Sequence, residues 1–170
     1  MQLTLLLAVM FVGSAGCTQE REPCLTPKIA SLNIECVHFP TDTATTTIDT
    51  LLPAAGFGAV TDSGTRYVIY SPSSNFTISL SSRVDSCRWL FSTDSAGFTT
   101  QQFDTLDFYY QRKLQFLSNA CGYTYFYVLN SVKLLKNAGL SAIDSVLITN
   151  ASVTNDVNVK QLKIFIHPDF

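Results

Sequence analysis

From Lys28 onward, apolar and polar residues alternate with a period of two. Leu32, Ile34 and Cys36 alternate with Asn33, Glu35 and Val37 inside the stretch Ile29 to Phe39. Phe76, Ile78 and Leu80 alternate with Thr77, Ser79 and Ser81, and Cys87, Trp89 and Phe91 fall on one face of Ser86 to Thr93. Leu106, Phe108 and Tyr110 alternate with Asp107, Tyr109 and Gln111, and Tyr123, Tyr125, Tyr127 and Leu129 share a face. Leu162, Ile164 and Ile166 point one way, Lys163 and His167 the other. Arg66 to Tyr70, Ile143 to Thr149 and the Thr-rich Thr41 to Leu52 add further runs, and Lys113 to Leu117 either returns as a hairpin or continues the strand before it. This period predicts about eight or nine half-buried strands, and the β-branched and aromatic residues in them favour a pleated surface. Turn residues stand between the runs at Ala54-Ala55-Gly56, Asp62-Ser63-Gly64, Ser71-Pro72-Ser73-Ser74, Asp94-Ser95-Ala96-Gly97 and Asn155-Asp156. Helical spacing occurs only at Val132, Leu135 and Ala138, which reads as a loop or a single turn. The expected fold is all-β, an antiparallel two-sheet sandwich of immunoglobulin-like type, with a closed barrel as the alternative.

The beginning of the chain breaks this pattern. Leu3 to Val12 is apolar except for Thr4. The run is too short to span a bilayer, which needs about 20 apolar residues. It is followed by the small residues Gly13, Ser14, Ala15 and Gly16, as in a cleavable export signal, although Met1 and Gln2 supply no basic charge. Ser14-Ala15-Gly16-Cys17 resembles a bacterial lipobox, in which the Cys thiol is diacylated and becomes the new N-terminus. Ser14 stands where an aliphatic residue is usual, and ordinary cleavage near Ala15 or Gly16 is the competing reading. Five cysteines are present, at 17, 24, 36, 87 and 121. Lipidation of Cys17 leaves an even set, as expected of an exported protein in an oxidising compartment. The organisation expected is a signal peptide over 1–16, a lipid-anchored tether over 17–27 and one β-sandwich domain over 28–170. Thr18 to Pro27 is polar and holds two prolines, as a tether would. Its Glu20-Arg21-Glu22 is similar to the acidic signals that send some lipoproteins to the outer face. The location expected is the bacterial cell envelope, as an outer-membrane lipoprotein on the periplasmic or the surface face. Secretion is the alternative.

Charge narrows the partners. The chain has 11 Lys and Arg against 13 Asp and Glu, a net charge of −2, and offers no basic field for nucleic acid. No second hydrophobic span follows the signal, so membrane attachment has to come through lipid.

Several segments together resemble a known group. Pro23-Cys24 and Pro27 lead into the first strand, and Asp104-Thr105-Leu106-Asp107-Phe108-Tyr109-Tyr110 forms an acidic-Thr-aliphatic strand. Phe116-Leu117-Ser118-Asn119-Ala120-Cys121-Gly122-Tyr123 carries a Cys-Gly pair, and Ile143-Asp144-Ser145-Val146 and Val159 to Phe165 close the chain. In these segments the chain resembles the uncharacterised small lipoproteins of Bacteroidetes-type bacteria, a domain of unknown function. The resemblance is best from about Leu90 onward. It implies an envelope location and an all-β fold, and brings no catalytic residues with it.

The cysteines are the strongest chemical feature. A Cys24–Cys121 bridge would pin the end of the tether to the sheet, with Cys36 and Cys87 as the second pair. The connectivity stays open at this stage, and the alternative for Cys36 and Cys87 is two buried, unpaired thiols acting as small hydrophobes. No two cysteines stand close together in sequence and there are only two His, which speaks against zinc. His38 and His167 read as surface residues, since no G-x-S-x-G elbow offers a nucleophile. Asp104, Asp107, Asp144 and Asp156 lack EF-hand spacing and read as turn chemistry. The candidate binding surface is aromatic: Tyr109, Tyr123, Tyr125 and Tyr127, with Tyr110 and Phe126 among them. One face of these strands fills the core, and the other is either a platform for a sugar or partner or is itself covered. The expected role is a non-catalytic binding or accessory module without cofactor or metal, with an envelope protein or glycan as partner. The alternatives are a secreted carboxylate-dependent hydrolase and a structural subunit of an envelope complex.

Overall fold

Alternation becomes structure wherever one face of a strand can be buried. The computed structural model describes residues 23–41, 43–138 and 141–167. The expected signal segment, Cys17 and Glu20-Arg21-Glu22 lie outside the described residues. Among the described residues eleven strands form, rather than eight or nine. They are β1 (Ser31–His38), β2 (Ile48–Asp49), β3 (Gly56–Thr61), β4 (Gly64–Ile69), β5 (Asn75–Ser79) and β6 (Ser86–Ser92). After them come β7 (Asp104–Ser118), β8 (Gly122–Leu135), β9 (Ile143–Ile148), β10 (Ser152–Val153) and β11 (Leu162–Ile166). A single 3₁₀ turn, Ser95–Phe98, interrupts them, capped by the Asp94 side chain, which accepts from the Ala96 N–H.

Two sheets pack face to face as a sandwich. The first runs β2-β1-β11-β9, with β5 paired to β1 beside β2. The second runs β10-β8-β7-β6-β3-β4. The core between them is one cluster. Leu32, Ile34, Phe76, Leu162, Ile164 and Ile166 enter from the first sheet, and Phe57, Phe91, Leu106, Phe108, Tyr110 and Leu129 from the second. The expected faces of β1, β5, β6, β7 and β11 are therefore the buried ones.

Three features depart from expectation. β1 and β11 pair in parallel, from Ile34 beside Leu162 to Val37 beside Phe165. Strand β3 begins at Gly56, in a stretch that reads as a turn. Its glycines are needed because rings lie flat on the outer face there. A Cβ on Gly56 would stand 2.2 Å from the Phe98 ring, and one on Gly58 would stand 2.9 Å from the Tyr67 ring. Tyr67 and Phe98 themselves pack with centroids 4.5 Å apart. Finally, Val132 and Leu135 belong to β8 and not to a helical turn. Val132 pairs with Phe108 and Leu135 with Thr105, so the spacing that reads as helical is the end of a long strand.

Candidate functional site

The second sheet gives rise to an arm. β6 pairs with β7 only from Asp104 to Tyr109, whereas β8 stays with β7 as far as Ser118. On the other side, β10 pairs with β8 only at Tyr127 and Val128. The rest of the β7–β8 hairpin is therefore two-stranded. A bulge marks its root, since Tyr109 opposes Ser131 while Tyr110 opposes Leu129. Asn130 is the extra residue. It changes which parity of β8 faces inward, from Leu134 and Val132 above it to Leu129, Tyr127, Tyr125 and Tyr123 below it. Bulges bend a strand and increase its local twist.

The inner face of the arm pairs Arg112 with Tyr127, Leu114 with Tyr125 and Phe116 with Tyr123. Tyr127 is only 6% exposed, and its ring meets Tyr110 edge-on at 5.3 Å. It belongs to the core and not to a binding surface. Tyr125 is 38% exposed and Tyr123 64%. Leu114 and Phe116 are exposed beside them, and the Phe116 and Tyr123 rings pack at 5.2 Å. Tyr109 is also exposed, but it lies on the opposite face of the hairpin, opposite Ser131. Of the four tyrosines singled out by sequence, the structure brings Tyr123 and Tyr125 together at an open surface. Leu114 and Phe116 complete that surface. Their spacing in the sequence placed them on a strand but did not show that they stand exposed there.

The approach to β1 runs along this arm. Thr124 donates its hydroxyl to the Lys28 carbonyl, and Asn155 donates to the Pro27 carbonyl at 3.0 Å. At the tip, Cys24 and Cys121 form a disulfide with Cα atoms 4.7 Å apart. A groove of about 360 Å³ lies between the two segments, lined by Lys28, Ile29, Ala30, Leu80, Tyr123 and Tyr125 among others. Leu25 and Ile29 are largely exposed on its tether side. The base of the arm is braced. Arg112 reaches Asp85 at 2.6 Å and the Ser82 carbonyl at 2.9 Å. The Tyr110 hydroxyl accepts from the Ser81 N–H at 2.8 Å and donates to the Ser81 carbonyl at 3.1 Å.

Cys36 and Cys87 are unbridged, contrary to a second disulfide. Cys36 lies on β1 level with Ser74, whose carbonyl accepts from its N–H. Cys87 lines the same cavity as Ser81. Seven residue steps of largely extended chain lead from Ser74 to Ser81, roughly 23 Å, far beyond the reach of a disulfide. Burial, with Glu35 adding to it, pushes the Cys36 thiol well up. Burial likewise raises that of Cys87.

The acidic residues take up structural duties. Asp104 is buried and accepts from the Asn137 N–H at 2.8 Å, the Ser141 hydroxyl at 3.0 Å and the Ala142 and Ile143 N–H groups at 3.1 and 3.2 Å. It clamps the β8–β9 connection. Asp104 and Asp94 both line a cleft of about 250 Å³, but Asp94 is engaged in capping the 3₁₀ turn. Asp107 holds Arg88 through two bonds of 2.6 and 2.8 Å, and this guanidinium draws its carboxyl below the usual range. His38 meets the Thr50 hydroxyl at 2.9 Å, and His167 stands 3.3 Å from Asp144. Among the described residues, no three His, Cys, Asp or Glu side chains stand close enough together to hold a metal. A cavity of about 690 Å³ opens between the sheets beside β4. Trp89 and Leu80 floor it, with Arg66 and Arg83 at its rim. No helix among the described residues is long and apolar enough to cross a membrane.

No curated protein and no solved structure matches the chain. The model of a family of unknown function, DUF6452, matches residues 57–166, from within β3 to the end of β11, and the chain belongs to that family.

Proposed function

We propose that this chain is a lipoprotein of the bacterial cell envelope, anchored through Cys17, and that its domain is a non-catalytic binding or accessory module. The arm is its docking face towards a constituent of the envelope. The observation that carries this reading is the strip Leu114, Phe116, Tyr123 and Tyr125, exposed on a hairpin whose tip is covalently joined to the tether. Apolar side chains left open on a braced, ordered element are the usual mark of an interaction surface. A carboxylate-dependent hydrolase is the weaker reading. It asks for two carboxylates free to act in one pocket, whereas Asp94 and Asp104 are both engaged in holding backbone N–H groups.

Intact mass of the mature protein from its native membrane tests the anchor. Diacylglycerol plus an acyl chain on Cys17 is the expected result. An unmodified chain starting near Cys17 overturns the lipoprotein reading. The same spectrum taken with alkylation, before and after reduction, is expected to show one bridge and two free thiols.

A further inference from the structure

We infer that the constituent met by the arm is the lipid surface itself: the tip of the β7–β8 hairpin lies in the headgroup region of the membrane that holds the anchor. The inference rests on the lipid attachment proposed above and deepens it.

Three observations converge on this occupant. The first is covalent. Cys24 is bound to Cys121 at the tip of the arm, and only six residues, seven steps of chain, separate Cys24 from Cys17. Fully extended, that length of chain spans at most about 25 Å. An anchor at Cys17 therefore keeps the tip near the membrane, and a tip on the surface needs no extension of the tether. The second is chemical. The exposed apolar residues of this end are Leu25, Ile29, Leu114, Phe116, Tyr123 and Tyr125. They combine aliphatic bulk with tyrosines, the amphipathic rings that settle at the level of the headgroups. The third is electrostatic. The chain as a whole is acidic, yet 23–30 and 110–132 contain no Asp or Glu. They contain Lys28, Arg112 and Lys113. Arg112 is paired with Asp85, while Lys28 and Lys113 have no ion-pair partner among the described residues. Glu20, Arg21 and Glu22 in the tether leave a single net negative charge between the anchor and this end. Lys28 lines the groove beside Tyr123 and Tyr125, and Lys113 stands on the other face of the same hairpin, so that cationic side chains flank the apolar strip, an arrangement that matches an anionic headgroup layer. A protein or glycan partner would explain the rings, but neither the short covalent leash nor the loss of acidic residues.

The test uses the full mature protein in vesicles of phosphatidylethanolamine and phosphatidylglycerol. A Phe116→Trp variant, checked for an unchanged melting curve, places a reporter at the tip, with the wild type as the reference for buried Trp89. The emission added by the new residue is expected to shift to the blue in vesicles and to be quenched by lipids brominated in the acyl chain. Mature protein beginning at residue 17 and carrying Cys17→Ser, free of both the lipid and the apolar run at 3–12, isolates the contribution of the arm. Its binding to anionic vesicles is expected to fall by about fivefold for each of Lys28→Gln and Lys113→Gln, and Leu114→Ser with Tyr123→Ser is expected to abolish it. An added emission that ignores brominated lipid, in protein shown by mass to carry the anchor, overturns the inference and leaves the lipoprotein reading standing. So does a tip that is shielded in native envelopes but not in pure lipid vesicles, which would assign the arm to a protein or glycan. Unmodified Cys17 in the mass spectrum sinks the anchor separately.

Discussion

Asp104 shows how much one side chain can hold without a charged partner. Its Oδ1 accepts one N–H, and its Oδ2 accepts from a hydroxyl and two further N–H groups. In Asp104→Asn one of those oxygens becomes an NH₂ group. Whichever way the amide turns, a donor then faces a donor at a buried position. A loss of about 2–3 kcal/mol is expected from hydrogen bonds of this charge-assisted kind. A lower urea midpoint would record it, with faster amide exchange from Asn137 to Ile143. An unchanged midpoint would mean that the clamp is dispensable. Asp107 makes a different point. Hydrogen bonding to Arg88 lowers its pKa in the folded protein. The stabilisation is thus fully present above the ordinary carboxylate pKa of about 3.9 and is lost as pH falls through the lowered folded value. Half of the Arg88 side chain is in water, so the effect is small, about 0.5 kcal/mol. Asp107→Asn is expected to cost that much at pH 7 and to lose its penalty in urea titrations carried out below the folded pKa.

At the scale of elements, the arm separates what the sequence displays from what it conceals. The alternation of Tyr123, Tyr125, Tyr127 and Leu129 gave a correct face, because pleating fixes the parity of side chains along any strand. Burial along that face was not legible. Tyr127 and Tyr123 are the same residue type on the same face, yet one lies under Leu80 and Tyr110 while the other stands beyond the last strand that covers the hairpin. Only the lengths of neighbouring strands decide this, and those follow from where β6 and β10 stop pairing. The bulge at Asn130 was equally hidden, since no glycine or proline marks it. The contrast gives a prediction. Combined Leu114→Ser, Phe116→Ser and Tyr123→Ser should move stability by about 1 kcal/mol or less, because substitutions at exposed positions perturb folding little. Tyr127→Ala alone should cost about 3 kcal/mol, as other buried aromatic truncations do. Chemical denaturation of the two variants side by side checks both. A large loss from the triple variant would mean that the strip is part of the core and not a surface.

For the molecule as a whole, the sheet class was written in the period of two, but the closure was not. The parallel pairing of β1 with β11 brings the beginning and the end of the domain together, and local pattern carries no trace of a contact between Cys36 and Ile164. The free state of Cys36 and Cys87 has the same origin, since both lie on core-facing positions but at different levels of the sandwich. The bridge that forms among the described residues is the one that spans the two sheets. Cys24 leads directly into β1 of the first sheet, while Cys121 sits at the tip of the hairpin of the second, 97 residues away. Closing a loop of that length restricts the unfolded chain, and the loss of chain entropy corresponds to about 4.7 kcal/mol. Paired Cys24→Ser and Cys121→Ser, or reduction of the wild type, should lower the unfolding free energy by about that amount while leaving the near-ultraviolet spectrum native. The competing possibility is that the bridge only holds the tether against the arm. Its loss would then free Thr124 and Tyr123 locally, seen as faster exchange near the tip, with the global midpoint unmoved. The two outcomes differ in which state of the chain the bridge acts on, and a urea titration with and without reductant separates them.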